Sequence, residues 1–518
     1  MLTTAAIFSN EMVLQREKRI ALWGMADAGK EIKAQILDSV VKTDADEEGK
    51  WYLELPPMTA GGPYTLTITS GEEKLEYADV MIGEVWFAGG QSNMELELQN
   101  SLNGQEVISK IGESKVRYYH VPHIGFLGEE LEKAEAENTW KSCSSQMGDG
   151  CSAVGYYFAK EVSEKLGIAV GIINCSWGGT SASCWVDEPT LMHKNDTRIY
   201  MDEYNQAMEG KTFEEYKKEK EEYDIYYEEW NKKIEEYYAT HEEPSWDEAC
   251  SIAGENRWPG PVGPLNEYRP TGLYHAMIQR VCPYTVRGFL YYQGEQDEGK
   301  PQIYYSLLSS LVQKWRDDWK DDSLPFLCVQ LPMFKNKGDF DRKNWPLIRE
   351  AQMRVYQTIK NTGIAVILDS GEFNNIHPLD KETVGHRLAL QAFANVYDVE
   401  TDAFGPLYTS YTIDGQKMVL QFSHGEQMEY HKDDAPGIEP EQSETGFEIA
   451  GKDKKYVPAK IEVEGSKVIV SSDEVEEPRY VRYAWTNYGP VTMYGKNGIP
   501  MAPFRTSKED GSEDEAVC

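Results

Sequence analysis

Between residues 82 and about 370 the chain alternates short apolar stretches with segments of helix length. The apolar stretches read EVWFAGG, AVGIINCSWGG, VRGFLYYQG, PFLCVQL and GIAVILDSG, and helix-forming sequence occupies 152–166 and 302–319. Buried strands that alternate with helices predict a mostly parallel sheet, which binds ligands at the carboxyl ends of its strands. The chain is therefore predicted to have an α/β fold.

Sequence of a different kind flanks this core. Short β-like runs separated by Gly, Pro and Asp precede it, and strands of antiparallel character return after it. We predict an N-terminal β-sandwich-like domain at 1–80, the first part of the core at 81–190, a helical insertion at 191–256, the second part of the core at 257–404, a C-terminal β domain at 405–510 and a polar tail at 511–518.

The insertion is rich in Glu, Lys and Tyr, and its aromatic residues from Phe213 to Tyr237 recur at spacings built from threes and fours. Thr212 and Glu215 have the spacing of a capping box, so we predict that an amphipathic helix begins there. This helix either packs on its own domain or forms an aromatic wall or lid beside the active site.

The chain has 52 Lys and Arg residues against 87 Asp and Glu, a formal net charge of −35. This charge removes the electrostatic basis for binding nucleic acid or an anionic membrane, and we expect neither partner. The eight cysteines and the dispersed acidic residues show no zinc or calcium spacing, so no cofactor is predicted. The first residues lack a signal-peptide pattern, which favours a cytoplasmic location, with a secreted form that has lost its signal peptide as the alternative.

The stretch EVWFAGGQSNMELE places Ser92 after a strand that ends in two glycines and at the beginning of a helix. Free backbone N–H groups and the positive end of the helix dipole would surround its hydroxyl there, which suits nucleophilic attack and the stabilisation of an oxyanion. A serine that only caps the helix is the alternative.

Two other strand ends carry residues that suit an oxyanion. NCSWGGTSASCW has Gly178 and Gly179, which let the backbone approach a bound carbonyl closely, although glycines are also ordinary turn formers. YYQGEQDEG has Gln293, whose side-chain amide is a hydrogen-bond donor, although a buried glutamine that ties loops together is the alternative.

A fourth strand end carries a histidine. His377 follows GIAVILDSG and precedes a helix whose beginning is marked by Pro378 and Asp380. A general base for Ser92 is expected at such a position, because the carboxyl ends of parallel strands meet at one edge of the sheet.

The blocks GEVWFAGGQSNM, GIINCSWGGT, GLYHAMI, YYQGE, REAQ and NNIHPLDKETVGHRLALQAF, in this order, resemble those of the sialate O-acetylesterase family, a carbohydrate-esterase branch of the SGNH hydrolases. MVLQR, GFEIAG and GIPMAPFRT are similar to the family's flanking β regions. The resemblance implies a flavodoxin-like three-layer α/β/α core with flanking antiparallel β domains. It also implies hydrolysis of acetyl esters on sugars through an acetyl-enzyme, without a metal.

The same resemblance implies roles for individual residues. Ser92 would be the nucleophile and His377 the base. The oxyanion hole would draw on the Ser92 backbone, Gly179 or its neighbour Gly178, and Gln293. The candidates for substrate binding, which lie in the matching blocks, are Gln91, Asn93, Glu295 and Arg349.

Two departures from the family pattern concern the catalytic acid and the oxyanion donors. Many relatives have an aspartate two or three residues before the histidine, where this chain has Asn374 and Asn375, and an amide cannot stabilise an imidazolium as a carboxylate does. A backbone carbonyl or an Asn side chain would then orient the ring, or another carboxylate would reach it, or activity would be low. The candidate carboxylates are Glu372, Asp297 and Glu295. The second departure is Gln296-Asp297 in place of Ser followed by Asn or Asp.

We therefore predict a serine carboxylic-ester hydrolase that acts on acetylated carbohydrate. An esterase for xylan, xyloglucan or mannan fragments with the same mechanism is one alternative, and a catalytically impaired glycan-binding protein is another. The sequence leaves open whether the chain forms a homodimer through its β domains.

Overall fold

A computed structural model describes residues 1–112, 114–145, 150–241, 246–439 and 442–507. The predicted polar tail at 511–518 lies outside these residues. Within the described ranges, no helix has both the length and the apolar composition needed to cross a membrane.

The N-terminal region forms small β-sheets that pack on the rest of the molecule. Its strands are β1 (Thr3–Thr4), β2 (Val13–Gln15), β3 (Ile20–Met25), β4 (Glu31–Ile36), β5 (Ser39–Asp44), β6 (Lys50–Leu55) and β7 (Gly61–Ser70). β1, β3 and β6 form one antiparallel sheet. β4 pairs with β5 and β7 in a second sheet, which continues into the next strand.

That next strand, β8 (Glu73–Gly90), runs without interruption from the N-terminal sheet into the centre of the molecule. Its first half pairs antiparallel with β7, and its second half pairs with strands of the parallel sheet on both sides. The predicted domain boundary after residue 80 lies inside this strand.

The central sheet adds the strands β9 (Val116–His120), β10 (Lys141–Ser142), β11 (Val170–Ser176), β12 (Gly288–Tyr292), β13 (Phe326–Gln330) and β14 (Thr362–Val366). All pairs from β9 to β14 in the order β9-β11-β8-β12-β13-β14 are parallel, and β10 adds an antiparallel edge. When the five adjacent strands β11-β8-β12-β13-β14 are numbered along the chain, they have the flavodoxin-like order 2-1-3-4-5. Ligands of such sheets bind where the strand order reverses, which here is between β8 and β12.

Helices cover both faces of this sheet. They are α1 (Ser92–Glu95), α2 (Gly104–Lys110), α3 (Glu129–Glu137), α4 (Ala153–Leu166), α5 (Glu188–His193), α6 (Ile199–Met208), α7 (Phe213–Thr240), α8 (Trp246–Ala253), α9 (Gln279–Val281), α10 (Pro301–Trp319), α11 (Asn344–Thr358) and α12 (Lys381–Asn395). Neighbouring residues of a strand point to opposite faces. Trp86 contacts Phe158 of α4 (ring centroids 5.1 Å apart), whereas Phe87 contacts Trp315 of α10 (5.2 Å). The predicted three-layer α/β/α core is thus confirmed.

The long helix of the predicted insertion is α7, and the capping box formed by Thr212 and Glu215 at its start is confirmed. The C-terminal region is antiparallel, as predicted. Its strands are β15 (Leu407–Asp414), β16 (Lys417–Ser423), β17 (Met428–Tyr430), β18 (Phe447–Ala450), β19 (Val457–Pro458), β20 (Lys460–Glu464), β21 (Lys467–Ser471), β22 (Tyr480–Tyr483), β23 (Met493–Gly495) and β24 (Phe504–Arg505).

A buried ion cluster joins the N-terminal region to the core. Glu84 of β8 is fully buried and accepts hydrogen bonds from Arg16 (2.5 Å) and from both the Nε and a terminal nitrogen of Arg287 (2.6 and 2.9 Å). Gln15 and Tyr397 donate to the same carboxylate at 3.3 and 3.2 Å. The carboxylate therefore replaces its lost hydration with five protein donors.

We expect Glu84→Ala to lower the free energy of unfolding by about 3 kcal/mol or more, because it leaves two partly buried guanidinium groups without their partner. Denaturant unfolding of the full chain measures the loss. Glu48→Ala is the matched control, since its carboxylate pairs with Lys50 while 71% exposed and should contribute less than about 1 kcal/mol. Equal stability of the two variants would show that the buried cluster does not hold the regions together.

Candidate active site

The structure brings together the two residues predicted as nucleophile and base. Ser92 begins α1 directly after β8, and His377 lies in the loop between β14 and α12. The His377 Nε2 lies 2.8 Å from the Ser92 Oγ, although 285 positions separate the residues in the chain. Both stand at the carboxyl edge of the parallel sheet, where the switch in strand order places a ligand site.

Backbone N–H groups suited to an oxyanion surround the serine. In the described part of the chain, the N–H groups of Ser92 and Gly179 have no protein acceptor. The Gly178 N–H, in contrast, donates to Glu95 Oε2 at 2.5 Å. Of the two predicted glycines, Gly179 therefore keeps a donor available, while that of Gly178 is occupied.

Gln293, the third predicted oxyanion donor, has a side chain whose polar atoms are already hydrogen-bonded within the protein. Its side chain is fully buried, and its amide nitrogen donates to the Thr180 carbonyl (3.0 Å) and to Asp297 (2.7 Å). Its amide oxygen accepts from Tyr304 at 2.7 Å. Both ends of the amide already have partners in this structure, as expected of a buried glutamine that ties loops together, and the role of oxyanion donor stays a prediction.

The four residues predicted to bind substrate are buried beneath the site. Gln91, Asn93, Glu295 and Arg349 are each less than 5% exposed. The Gln91 side chain accepts from the Gln296 backbone N–H at 3.2 Å, and Arg349 donates to four backbone carbonyls, two of them in the C-terminal region. The polar groups of these residues hold strand ends and loops together instead of facing solvent, and their role in substrate binding stays a prediction.

Asn93 is the centre of the buried network below the Ser92–His377 pair. Its amide nitrogen donates to Glu295 (2.6 Å) and to the carbonyl of Ile376 (3.0 Å), and its amide oxygen accepts from Lys381 (2.6 Å). Asn93 is the neighbour of Ser92, and Ile376 is the neighbour of His377. The network therefore sets the distance between the serine and histidine segments.

None of the candidate acids contacts the His377 ring among the described residues. Glu372 accepts from the Asn375 amide and from the Leu379 N–H, both at 2.8 Å, and Asn375 accepts from the backbone N–H of His377 at 3.0 Å. The exposed Asn374 accepts from the Lys337 N–H at 3.1 Å. These residues shape the loop that carries His377, and within the described ranges its ring is hydrogen-bonded to Ser92 alone.

Asp297 is excluded as the acid by its own contacts. It is 2% exposed and accepts hydrogen bonds from Ser181 (2.6 Å), Ala182 (2.9 Å), Tyr200 (2.7 Å) and Gln293 (2.7 Å). Four donors fill the acceptor positions of a carboxylate, so this side chain fixes the loop after β11.

Lys381, which the sequence analysis did not single out, is the cation of the site. It is fully buried at the first position of α12, where a positive charge opposes the helix dipole. Burial lowers its pKa to about 8, while the carboxylates of Glu295, Glu372 and Asp380 act in the opposite direction. The sequence feature that could have identified Lys381 is its position in the first turn of a helix, four residues after the histidine.

The charge of Lys381 acts on the base. The surrounding protein desolvates the ring and so lowers the pKa of His377, although the residue keeps a solvent-exposed edge. The Lys381 ammonium lowers this pKa further. His377 is therefore neutral at neutral pH and can accept a proton from Ser92.

A second group that the sequence analysis missed borders the serine. The His123 ring stacks on Trp177 with ring centroids 4.6 Å apart, and its Nδ1 lies 3.7 Å from Glu95. Burial raises the pKa of Glu95, which a protonated His123 and the Gly178 N–H counteract. The His123 and Trp177 rings flank the turn of Gly178 and Gly179 on the side of β11.

Comparisons with known proteins place this geometry in a class. Residues 254–393 match the family model described as carbohydrate esterase, sialic acid-specific acetylesterase. A carbohydrate acetylesterase from Xanthomonas citri superposes with a TM-score of 0.77 at 28% identity, over 98% of this chain and 99% of that one. The fold, the serine–histidine contact and these matches define a carbohydrate esterase.

The likeness to one branch of that class extends over nearly the whole sequence. Sialate O-acetylesterase of Mus musculus is 25% identical over 96% of this chain and 93% of its own length, and that of Homo sapiens is 25% identical over 96% and 91%. The predicted resemblance to the sialate O-acetylesterase family is confirmed.

We expect Lys381→Met to shift the acidic limb of the pH profile of kcat/KM upward. His377 must be neutral to act as a base, so its lowered pKa extends activity to pH values below its ordinary pKa, and loss of the ammonium raises that pKa again. Hydrolysis of p-nitrophenyl acetate between pH 3 and 8 measures the limb. Lys337→Met, which removes an exposed lysine in a neighbouring loop, should leave it in place. An active Lys381→Met enzyme with an unmoved limb contradicts this electrostatic role.

The two asparagines should respond differently to a carboxylate. Asn375→Asp loses the donor that holds Glu372 and places two carboxylates at hydrogen-bonding distance, so we expect turnover to fall about tenfold or more. Asn374→Asp keeps the oxygen that accepts from Lys337 and should leave turnover within about twofold of wild type. Steady-state kinetics on p-nitrophenyl acetate separates the two, and a gain of turnover in Asn375→Asp would mean that a carboxylate there reaches the ring.

Proposed function

We propose that the protein hydrolyses O-acetyl esters on sugars through an acetyl-enzyme formed on Ser92. The observation that supports this most directly is the 2.8 Å contact between Ser92 Oγ and His377 Nε2, beside two backbone N–H groups that have no acceptor among the residues the structure describes. Nucleophile, base and oxyanion donors are the parts that acyl transfer needs. No metal enters any of these steps.

In the first half-reaction the Ser92 oxygen attacks the acetyl carbonyl while His377 accepts the hydroxyl proton. The negative charge that develops on the carbonyl oxygen receives hydrogen bonds from the Ser92 and Gly179 N–H groups. His377 then returns the proton to the sugar oxygen, and the C–O bond to the sugar breaks. In the second half-reaction His377 accepts a proton from water, and the water oxygen attacks the acetyl carbonyl. The bond between the acetyl carbon and Ser92 Oγ then breaks, His377 returns the proton to Ser92, and acetate leaves.

The absence of a carboxylate on the ring of His377, among the residues described, gives this site the character of a dyad. The imidazolium formed during attack lies near the positive charge of Lys381, which works against it. The orientation of the ring depends on the loop, through the Asn375 and Glu372 hydrogen bonds. Loop geometry thus replaces the direct ring contact that an aspartate supplies elsewhere.

The identity of the sugar is part of the proposal. The similarity to sialate O-acetylesterases favours acetylated sialic acid, and xylan, xyloglucan and mannan fragments are the alternatives. Acetate release from each of these acetylated sugars, measured side by side, determines the preference.

Ser92→Ala should reduce hydrolysis of p-nitrophenyl acetate by at least about 10³-fold, because the covalent step is lost. Wild-type enzyme mixed with an activated acetyl ester should label Ser92, as peptide mass spectrometry would show. Ser109→Ala, which changes an exposed serine on α2, is the control. A protein that only binds glycans would keep Ser92 unlabelled and would release no product, and wild-type turnover by Ser92→Ala would exclude the mechanism.

A further inference from the structure

A recess lined by aromatic rings adjoins the candidate active site. Tyr223 and Tyr227 of α7 form one wall, and Trp258 and Tyr268 of the loop that follows the insertion form the other. Asp224 and Glu267 add carboxylates to its rim. The recess has a cavity volume of about 90 Å³ and is open to solvent. These six residues define what is called here the aromatic recess.

The aromatic recess lies next to the glycine turn of the site, because Gly178 contacts Ser92 and its neighbour Gly179 contacts a ring of the recess. A Cβ atom on Gly178 would lie 3.3 Å from the Cβ of Ser92, and a Cβ atom on Gly179 would lie 2.6 Å from the ring of Trp258. Gly179 also has a φ of +71°, so its backbone turns between Ser92 on one side and Trp258 on the other. The glycine turn that contacts Ser92 therefore also contacts a ring of the aromatic recess.

The walls of the aromatic recess are held in place. The Asn266 side chain donates to the carbonyls of Pro259 and Pro261, both at 3.0 Å, and accepts from the Tyr268 N–H at 2.7 Å. Gly260 lies against Tyr223 so closely that a Cβ atom there would be 2.6 Å from the ring. The loop and α7 are thus fitted to each other, and a ligand would meet a surface that is already formed.

The chemistry of this surface suits a neutral sugar unit. The four rings are only partly buried, and Tyr223 stacks on Tyr227 with centroids 5.3 Å apart and planes at 16°. Flat rings with an apolar face and a polar edge match the C–H face and hydroxyl edge of a pyranose. The carboxylates of the recess can accept hydrogen bonds from sugar hydroxyl groups. Lys220, which borders the recess, is paired with Asp224 at 2.8 Å. Two carboxylates against one ammonium disfavour an anionic ligand.

We propose that the aromatic recess binds a neutral sugar unit attached to the acetylated one, so that the enzyme acts on acetylated oligosaccharides in preference to acetylated monosaccharides. This inference rests on the proposed function, since it extends the same substrate beyond its acetyl group. The helical insertion then has a direct role in substrate selection through α7.

The test compares three substrates with Tyr223→Ala, Tyr227→Ala and the double variant. The substrates are p-nitrophenyl acetate, an acetylated monosaccharide, and oligosaccharides that carry the same acetylated unit, from xylan, mannan, xyloglucan and sialoglycan. Wild-type enzyme should have the highest kcat/KM on an oligosaccharide. The double variant should lose about tenfold of that value through KM, which corresponds to about 1.4 kcal/mol of binding, and should change less than twofold on the two small substrates.

Ile225→Ala is the matched control, because Ile225 lies on the same helix and is 64% exposed. The inference is overturned if wild-type enzyme hydrolyses the monosaccharide as well as every oligosaccharide, or if the double variant loses activity equally on all three substrates. Failure of the proposed function would look different, because then no substrate would show hydrolysis that depends on Ser92.

Discussion

The hydrogen bonds of Asn93 are the interaction on which the site depends. One amide joins the helix that carries Ser92, the loop that carries His377, the turn after β12 through Glu295, and α12 through Lys381. An asparagine suits this position because it donates and accepts at once, whereas a carboxylate beside Glu295 would repel it and an alkyl group would leave buried charges without partners. The network is buried, so each of its hydrogen bonds acts at a low dielectric constant.

This arrangement also explains how the site operates without a carboxylate on the histidine ring. Position is set from below, by the Asn93 network, and from the side, by the hydrogen bonds of Glu372 and Asn375 to the loop. Desolvation of the ring lowers the pKa of His377, and the ammonium of the buried Lys381 lowers it further. The protein therefore separates two tasks that one aspartate performs in a triad, which are orientation of the ring and control of its charge.

Whether the sequence identified a residue of this site depended on where that residue lies relative to the strands. Ser92 and His377 were found because each follows an apolar strand. The alternation of strands with helices predicts a parallel sheet, and the carboxyl ends of parallel strands meet at one edge. Gln91, Asn93, Gln293 and Glu295 follow the same strand ends, whereas Arg349 lies within α11, and the structure buries all five. Once the chain leaves a strand, alternation no longer tells which side chains face solvent and which turn inward. Lys381 was missed because Asn93, the side chain to which it donates a hydrogen bond, lies 288 positions away in the chain.

The uninterrupted strand β8 has a consequence for how the polypeptide reaches its final form during synthesis. The N-terminal sheet can close around the first half of β8 early, but the second half needs Val170–Ser176 and Gly288–Tyr292, which emerge from the ribosome much later. Until then an apolar strand is left with both edges unpaired, a state that attracts other chains and chaperones. The N-terminal sheet and the central sheet thus share one strand, whose second half is fully paired only when both distant core strands are present.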